Sequence, residues 1–238
     1  MAASYGRVLL KLSGEALKGD AASGIDFSVL QFIAGEVAQL QAAGVQTALV
    51  IGGGNIWRGT NAEGTGLDRA TADYMGMLAT MMNGLALQSA FEQLGLEARA
   101  MSALRLDQIC EPYIRQRALE HLRRDRIVIF VGGTGLPYFT TDTVAALRAV
   151  EVGADILLKG TNVDAVYSGD PRTDKTAAPY QQLTYDQFLA AHLKAMDATA
   201  ISLCQENHLP ILLFNMNRPG NIVRAAMQGD IGTLIKEA

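Results

Sequence analysis

Four apolar runs of this sequence are each followed by residues suited to binding phosphate. Runs 7–10 and 155–158 end at Lys11 and Lys159, and two other runs end at the glycines of 52–54 and 132–135. Lysine supplies a compact positive charge, and glycine lets backbone N–H groups approach a ligand. Strand ends of a parallel sheet share one edge, so we expect these groups to converge. The set indicates phosphoryl transfer, which needs positioning and charge neutralisation rather than a protein nucleophile.

The stretch 127–142, IVIFVGGTGLPYFTTD, holds the densest of these groups. Its first five residues are apolar and mostly β-branched, which is typical of a buried strand. Glycines, hydroxyls, aromatic rings and Asp142 follow, and a helical pattern begins directly after that aspartate. Hydroxyls and N–H groups at a helix N-terminus favour anions. The same stretch also fits an ordinary strand-to-helix turn with a hydroxyl cap.

The glycines at 52–54 match neither of the common nucleotide-binding fingerprints. Trp57 stands where GxGxxG needs its third glycine, and GxxxxGK[ST] occurs nowhere in the chain. Arg58 follows these glycines, and its guanidinium is suited to a two-point contact with a phosphate. Arg58 also fits a surface residue on a loop, but three consecutive glycines beside it favour the binding role.

Asp142 and Asp170 are the carboxylates that we expect to orient the lysines and to hold a hydrated Mg²⁺ together with nucleotide phosphates. Asp73 lies in the first turn of a methionine-rich helix predicted over 72–95 and capped by Thr71. It either interacts with the helix dipole or accepts hydrogen bonds from paired sugar hydroxyls. The three histidines have neither metal-ligand spacing nor a Ser–His–Asp arrangement, so we give them no chemical role.

The order of the apolar patterns predicts an α/β fold. A strand at 7–10, an amphipathic helix around 30–40 and a strand at 45–51 make a right-handed βαβ unit with parallel strands. Further strands are predicted at 99–103, 127–131, 155–158 and 210–214 and, as a last edge strand, 233–236, with helices at 112–124, 143–153, 195–208 and 219–227. We expect the methionine-rich helix to be core or a subunit interface.

The composition describes a chain with a large potential core and a small negative charge. Of its 238 residues 49% are hydrophobic and 18% charged, with a formal net charge of −4 and a pI near 5.4. A non-specific nucleic-acid surface would be basic, so we expect no nucleic-acid partner. Cys110 and Cys204 lie far apart and predict free thiols. Neither a signal peptide nor a membrane span is apparent, which predicts a soluble cytoplasmic protein.

Seven segments together resemble the bacterial UMP kinases of the amino-acid kinase family. They are KLSGE (11–15), GGGN (52–55), DYMGM (73–77), GTG (133–135), FTTD (139–142), the segment 159–170 and FNM (214–216). The resemblance covers nearly the whole chain and implies a three-layer αβα sandwich with a central, mainly parallel sheet. It implies one domain over 1–238, whose N-terminal part mainly binds UMP and whose C-terminal part mainly binds ATP. The implied reaction is UMP + ATP → UDP + ADP with Mg²⁺, in pyrimidine nucleotide synthesis, by a homohexamer.

The resemblance also implies a role for each matching residue. Lys11 and Lys159 would stabilise the transferring phosphoryl group, and Asp142 would position lysine and metal without a dedicated protein metal site. The residues implied for UMP are Gly53, Asp73, Thr134, Gly135, Leu136, Pro137, Tyr138, Phe139, Thr140 and Thr141. Those implied for ATP are Lys11, Leu12, Ser13, Gly14, Gly54, Arg58, Thr161, Asn162, Tyr167 and Asp170. Asp197 matches an aspartate near the active site of the family.

The sequence departs from the family pattern in two places. Leu136 and Tyr138 stand where the family often has Asn and Phe, which leaves the hydroxyl and N–H chemistry of that loop unchanged. Ala22 and Ser23 stand where Gly and Phe are usual in the segment that the family links to activation by GTP. Activation by GTP and inhibition by UTP are therefore hypotheses for this chain.

Two other functions stay open on the sequence. One is a related kinase that acts on a carboxylate or carbamate, and the uridylate type of the acceptor loop argues against it. The other is a storage or sensor protein on this scaffold, such as the molybdenum storage proteins that resemble UMP kinase. Such a protein is expected to lose acceptor-site residues, whereas Asp73, Thr141 and Asp142 are all present here.

Overall fold

A computed structural model describes residues 5–58, 66–169, 173–174 and 176–238, and its centre is a sheet of nine strands. The strands in chain order are β1 (Arg7–Leu12), β2 (Gln46–Ile51), β3 (Ala98–Ser102), β4 (Glu111–Pro112), β5 (Ile127–Val131), β6 (Ile156–Thr161), β7 (Val166–Tyr167), β8 (Pro179–Tyr180), β9 (Gln182–Thr184), β10 (Ile211–Asn215) and β11 (Thr233–Lys236). The sheet order is β4-β3-β5-β2-β1-β6-β10-β11-β9, and β7 and β8 form a separate antiparallel hairpin.

Helices cover both faces of this sheet and make three layers. They are α1 (Phe27–Ala42), α2 (Arg69–Gln93), α3 (Arg115–Arg123), α4 (Thr141–Val152), α5 (Tyr185–Ala190), α6 (Ala198–Glu206) and α7 (Asn221–Met227), with a short 3₁₀ helix at Gly14–Lys18. One apolar core lies between the sheet and α1, α2 and α7, and a second lies between the sheet and α3 to α6. Among the described helices, none combines the length and the apolar character needed to cross a membrane.

The central strands are apolar along their whole length because both of their faces are covered. In β1, Leu10 and Leu12 belong to the first core and Leu9 to the second, as the alternation of side chains in a strand requires. β1 pairs with β2 and with β6 in parallel, and β10 with β11 is the antiparallel pair of the sheet. The predicted αβα sandwich with a mainly parallel sheet is thus confirmed.

Several predicted boundaries are wrong in instructive ways. The last strand, β11, is not an edge strand, because β9 pairs with it in parallel. The methionine-rich helix α2 begins at Arg69, and Asp68 rather than Thr71 caps it, its side chain accepting from the Thr71 N–H. Helix α3 begins at Arg115, because Pro112 lies in β4. The short elements β4, β7, β8, β9 and α5 were not predicted, since the two or three residues of each strand and the six of α5 carry too little periodicity.

Candidate active site

Lys11 and Lys159 lie side by side at the carboxyl-terminal edge of the sheet. β1 and β6 are neighbours, and their register pairs Lys11 with Lys159. Both residues are buried, at 8% and 7% exposure, so their charges need compensation. The predicted convergence is confirmed, although both lysines belong to their strands rather than following them.

Asp142, in the first turn of α4, supplies this compensation. Its Oδ1 lies 2.9 Å from Lys11 Nζ and its Oδ2 lies 2.5 Å from Lys159 Nζ, so one carboxylate bridges the two lysines. Lys159 Nζ also donates to the backbone carbonyl of Ala195 at 2.5 Å. The helix begins where Thr140 caps it, with Thr140 Oγ1 accepting from the Asp142 N–H at 3.1 Å. The cap therefore fixes the position of the bridging carboxylate.

Burial and the opposite charge of the partner shift the pKa values of Asp142 and Lys159 in opposite directions. Burial alone would raise the pKa of Asp142, but the charges of Lys11 and Lys159 and the hydrogen bond from Lys159 outweigh it, and the pKa lies below its ordinary value. Burial lowers the pKa of Lys159, the charge of Lys11 acts in the same direction, and the charge of Asp142 offsets them only in part. The two lysines share one carboxylate and carry excess positive charge, which suits a phosphate.

Asp197 ties the N-termini of α4 and α6 together beside this cluster. It caps α6, with Oδ1 accepting from the Ala200 N–H at 2.8 Å. The same oxygen accepts from Thr143 Oγ1 at 3.0 Å, and Oδ2 accepts from Thr140 Oγ1. Asp197 therefore holds the capping residue of the helix that carries Asp142, a position that the sequence alone did not define.

A cavity of about 920 Å³ opens on the lysine side of the cluster. Its lining includes residues from β1, the 3₁₀ helix, α1, β6 and the segment that follows β10, among them Lys11, Ser13, Lys18, Phe32, Arg58, Lys159, Thr161, Asn162, Met216 and Pro219. At its mouth, Glu15 Oε1 accepts from Arg58 Nη2 at 2.7 Å, and Glu15 Oε2 lies 2.9 Å from Lys18 Nζ. The volume lies at the upper end of the range typical of small-molecule sites.

The glycines at the strand ends allow close approach of two backbones. A Cβ on Gly14 would lie 2.5 Å from the Gly52 carbonyl oxygen and 2.7 Å from the Gly54 nitrogen. A Cβ on Gly53 would lie 2.7 Å from the Gly76 carbonyl oxygen of α2. These contacts leave room for hydrogen only, so glycine is required at 14 and 53 for packing, whatever the bound ligand.

Asn55 and Asn83 form a buried reciprocal amide pair behind the glycine loop. Asn55 Nδ2 donates to Asn83 Oδ1 at 3.0 Å, and Asn83 Nδ2 donates to Asn55 Oδ1 at 2.7 Å. Asn83 Nδ2 also donates to the Gly52 carbonyl at 2.7 Å, and Asn55 Nδ2 to the Gly24 carbonyl at 2.8 Å. The pair joins α2 and the loop before α1 to the glycine loop, and it holds that loop in place.

A second cavity of about 120 Å³ lies between α2 and the 132–142 loop. Its lining includes Gly53, Trp57, Asp73, Met77, Thr80, Thr134, Leu136, Phe139 and Thr141. The carboxylate of Asp73 accepts from Arg69 Nε, at 2.9 Å to each oxygen, and from the backbone N–H of Tyr138 at 2.7 Å. Asp73 therefore holds part of the loop rather than acting only on the helix dipole.

The two cavities divide most of the residues predicted for the site. Lys11, Ser13, Arg58, Lys159, Thr161 and Asn162 line the larger one, and Gly53, Asp73, Thr134, Leu136, Phe139 and Thr141 line the smaller one. Gly14, Gly54, Gly135, Pro137, Tyr138, Thr140 and Tyr167 lie outside both linings, and Leu12 is fully buried in the first core. Asp170 lies outside the described residues.

Comparison with known proteins agrees with this geometry. The sequence model of the Amino acid kinase family matches residues 6–215. The chain belongs to the amino acid kinase family. It is 38% identical to the solved UMP kinase of Bacillus anthracis over 98% of its own chain and 96% of the other, with a TM-score of 0.95. It is 37% identical to the UMP kinase of Ureaplasma parvum over 97% and 98% of the two chains, with a TM-score of 0.91.

A more distant solved structure completes the comparison. The uridylate kinase of Archaeoglobus fulgidus is 28% identical over 96% of this chain and 99% of the other, with a TM-score of 0.77. The chain therefore matches these two UMP kinases in fold over nearly its whole length, and the resemblance drawn from its motifs is confirmed.

Sequence reasoning missed several residues that shape the site. Glu15 stands within KLSGE, next to the residues that were singled out, but its partner Arg58 is 43 positions away. Asn83 and Arg69 lie on α2 in a pattern that predicts only core and solvated positions. Met216 and Pro219 both line the larger cavity, but only Met216 belongs to a motif that was singled out, FNM. Each of these roles depends on a contact that local spacing does not encode.

Proposed function

We propose that this chain is a UMP kinase that reversibly transfers the γ-phosphoryl group of ATP to UMP. The observation that carries the proposal is the Lys11–Asp142–Lys159 cluster, whose two lysines line a nucleotide-sized cavity and whose Asp142 directly follows Thr141 of the second, smaller cavity. ATP would occupy the larger cavity and UMP the smaller one, within one amino-acid kinase domain. The assignment of the smaller cavity to UMP is supported by the full-length similarity to UMP kinases.

The transfer would need no covalent enzyme intermediate. An oxygen of the UMP phosphate forms a bond to the γ-phosphorus, the bond from that phosphorus to the β–γ bridging oxygen breaks, and its electron pair leaves with ADP. Lys11 and Lys159 would neutralise the charge that spreads over the transferring group, and Asp142 would hold both lysines in register. Ser13, which lines the larger cavity, would add a hydroxyl donor to the ATP phosphates.

The residues present fit a Mg²⁺ ion that arrives with ATP. Among the described residues there is no cluster of three or more His, Cys, Asp or Glu side chains that would hold a metal by itself. Asp142 Oδ1 is buried and accepts no hydrogen bond of good geometry from the described residues, although Lys11 Nζ lies 2.9 Å away. That oxygen would accept from a metal-bound water, as suits a cation that keeps most of its waters and binds mainly to phosphates.

A coupled assay of ADP release tests this function. With Mg-ATP as donor, we expect turnover with UMP and little or none with acetylglutamate or aspartate; CMP and dUMP report selectivity. Turnover with acetylglutamate or aspartate instead of UMP would assign the chain to the carboxylate-acting branch of the family. ATP binding without turnover of any acceptor would overturn the kinase assignment in favour of a storage or sensor protein.

We also propose that the chain assembles as a homohexamer. Tyr74, Leu78, Met82 and Leu85 are all exposed on one side of α2, at 36–55% exposure, and form an apolar stripe that a second copy would cover. Sedimentation velocity tests this: a monomer at micromolar concentration would contradict it.

Regulation by GTP and UTP belongs to the same proposal. The loop before α1, which carries Ala22 and Ser23, is joined to the glycine loop through the Gly24–Asn55 contact. The expected result is a higher rate with GTP at sub-saturating UMP and a lower rate with UTP.

A cytoplasmic location is supported by two buried free cysteines.

A further inference from the structure

Arg69 and Tyr138 approach the carboxylate of Asp73 from two sides. Arg69 Nε donates to both carboxylate oxygens, at 2.9 Å each, and its guanidinium carbon lies 5.7 Å from the centre of the Tyr138 ring. The Tyr138 N–H donates to Asp73 Oδ2 at 2.7 Å. Asp73 lines the smaller cavity, whereas Arg69 does not, so Arg69 holds the carboxylate from behind.

The hydrogen-bonding capacity of Asp73 is nearly used up by these contacts. An ionised carboxylate accepts about four hydrogen bonds. The shared N–H of Arg69 occupies a site on each oxygen and Tyr138 occupies a third, and no other described residue donates to Asp73. A ligand with one hydroxyl fits the remaining site. A vicinal diol, such as the 2′- and 3′-hydroxyls of a ribose, needs two sites and must displace one of the present donors.

The Tyr138 N–H is the donor that is easier to displace. Tyr138 has φ of +72°, a left-handed conformation that is strained for a bulky residue. Its neighbours Leu136 and Phe139 are 58% and 48% exposed, so this part of the loop is held at the cavity with its apolar side chains largely uncovered. The cavity beneath is about 120 Å³, below the range of about 300–1,000 Å³ that is typical of sites for small molecules. The loop must therefore move before a nucleotide fits.

We propose that Arg69 is a positioning residue that fixes Asp73 as the acceptor of a ribose, and that the Tyr138 N–H occupies the place of the second ribose hydroxyl until the nucleotide arrives. Binding of a vicinal diol displaces the Tyr138 N–H from Asp73, relieves the strain of the Tyr138 backbone and opens the loop. A 2′-deoxyribose leaves the Tyr138 contact intact and the cavity small. Arg69 thus contributes to the preference for a ribonucleotide over a deoxyribonucleotide. The proposal rests on the proposed UMP kinase activity.

The discriminating measurement is the ratio of kcat/KM for UMP to kcat/KM for dUMP, with dUMP also measured as a competitive inhibitor. For Arg69→Ala we expect KM for UMP to rise about fivefold, kcat and KM for ATP to stay within about twofold, and the UMP/dUMP ratio to fall about threefold or more. Arg69→Lys keeps the charge but not the planar N–H groups of the guanidinium, so its UMP/dUMP ratio should lie between those of the wild-type chain and Arg69→Ala.

Arg124→Ala is the matched control. Arg124 pairs with Glu120 at the same i,i+4 spacing, at 2.6 Å, and is similarly exposed, but it lies at the end of α3. It should leave all constants unchanged. An unchanged UMP/dUMP ratio in Arg69→Ala, or an equal rise in KM for ATP, would overturn the proposal. If the wild-type chain does not turn over UMP at all, the proposed function has failed instead, and the two failures are distinguished by that first measurement.

A second pair of variants tests the strained backbone independently. Tyr138→Ala and Tyr138→Gly both lack the ring, but only alanine has a Cβ that opposes positive φ. Glycine should keep the hydrogen bond from the N–H of residue 138 to Asp73, so KM for UMP should be about threefold higher in the glycine variant than in the alanine variant. The inhibition constant of dUMP should be equal in both variants. Equal KM values for UMP would refute the displacement of the Tyr138 N–H.

Discussion

The bridging carboxylate of Asp142 makes the sharpest prediction, because replacing it with asparagine leaves two buried lysines without a counter-charge. At an effective dielectric constant of about 20, unit charges 2.9 Å apart attract by roughly 6 kcal/mol. Removing one partner of a buried ion pair costs about 3–5 kcal/mol. Asparagine keeps the size and one acceptor oxygen, so we expect Asp142→Asn to lower the free energy of unfolding by about 3 kcal/mol at pH 7.

The pH dependence of this loss identifies its cause. In the variant, burial and the charge of Lys11 still lower the pKa of Lys159, and only the charge of Asp197 opposes them, so this pKa falls further below the ordinary value. A lysine whose pKa is lower in the folded than in the unfolded state makes stability rise with pH between the two values. The deficit should therefore shrink between pH 7 and pH 9.5. The deficit should also vanish in acid. The pKa of Asp142 is lowered in the folded protein, so its carboxylate stabilises the fold above the ordinary carboxyl pKa, and this stabilisation is lost as pH falls through the folded value.

Urea unfolding of both proteins at several pH values and one protein concentration measures this deficit. Glu36→Gln is the matched control. Glu36 is a carboxylate of similar burial, at 6% exposure, which accepts hydrogen bonds from the backbone N–H groups of Gly220 and Val223. Its deficit should not change between pH 7 and pH 9.5. A deficit in Asp142→Asn that is equally flat would refute the argument that buried lysine charge is the cause.

Three further substitutions separate the roles of the site. Lys159→Ala should lower kcat about 100-fold or more with a smaller change in KM, because its contact strengthens in the transition state; steady-state kinetics decide this, and an effect on KM alone would contradict it. Asp73→Asn should raise KM for UMP about tenfold and leave KM for ATP unchanged; lost ATP affinity with normal UMP affinity would place Asp73 wrongly. Glu15→Gln should free Arg58 and raise KM for ATP about threefold. The melting temperature should change little, because the Glu15–Arg58 ion pair is half exposed. A large fall in melting temperature with unchanged KM for ATP would instead assign this ion pair a role in stability.

The elements that place the strand-end groups of the candidate site were predictable because their signals are local. Apolar runs of strand length followed by Lys11, Gly52, Gly132 and Lys159 predicted a parallel sheet with its ligand edge at these residues, and the adjacent order β5-β2-β1-β6 brings all four together. Residue types at strand ends are read directly from the chain, and the rule that parallel strands share one ligand edge does the rest.

The contacts between side chains of the site that lie far apart in the sequence were decided by the tertiary structure. Asp142 lies 131 positions from Lys11 yet bridges it to Lys159, and Tyr138 reaches Asp73 across 65 positions. β11 reads as an edge strand from its sequence, but β9 pairs with it. Periodicity and turn chemistry report on neighbours in the chain, whereas these features depend on which distant backbones and charges share a buried space. The sequence by itself determined the longer strands and helices and the chemical class of the site; the sharing of one carboxylate by two lysines, and the small volume of the cavity beside Asp73, arise only when the layers pack.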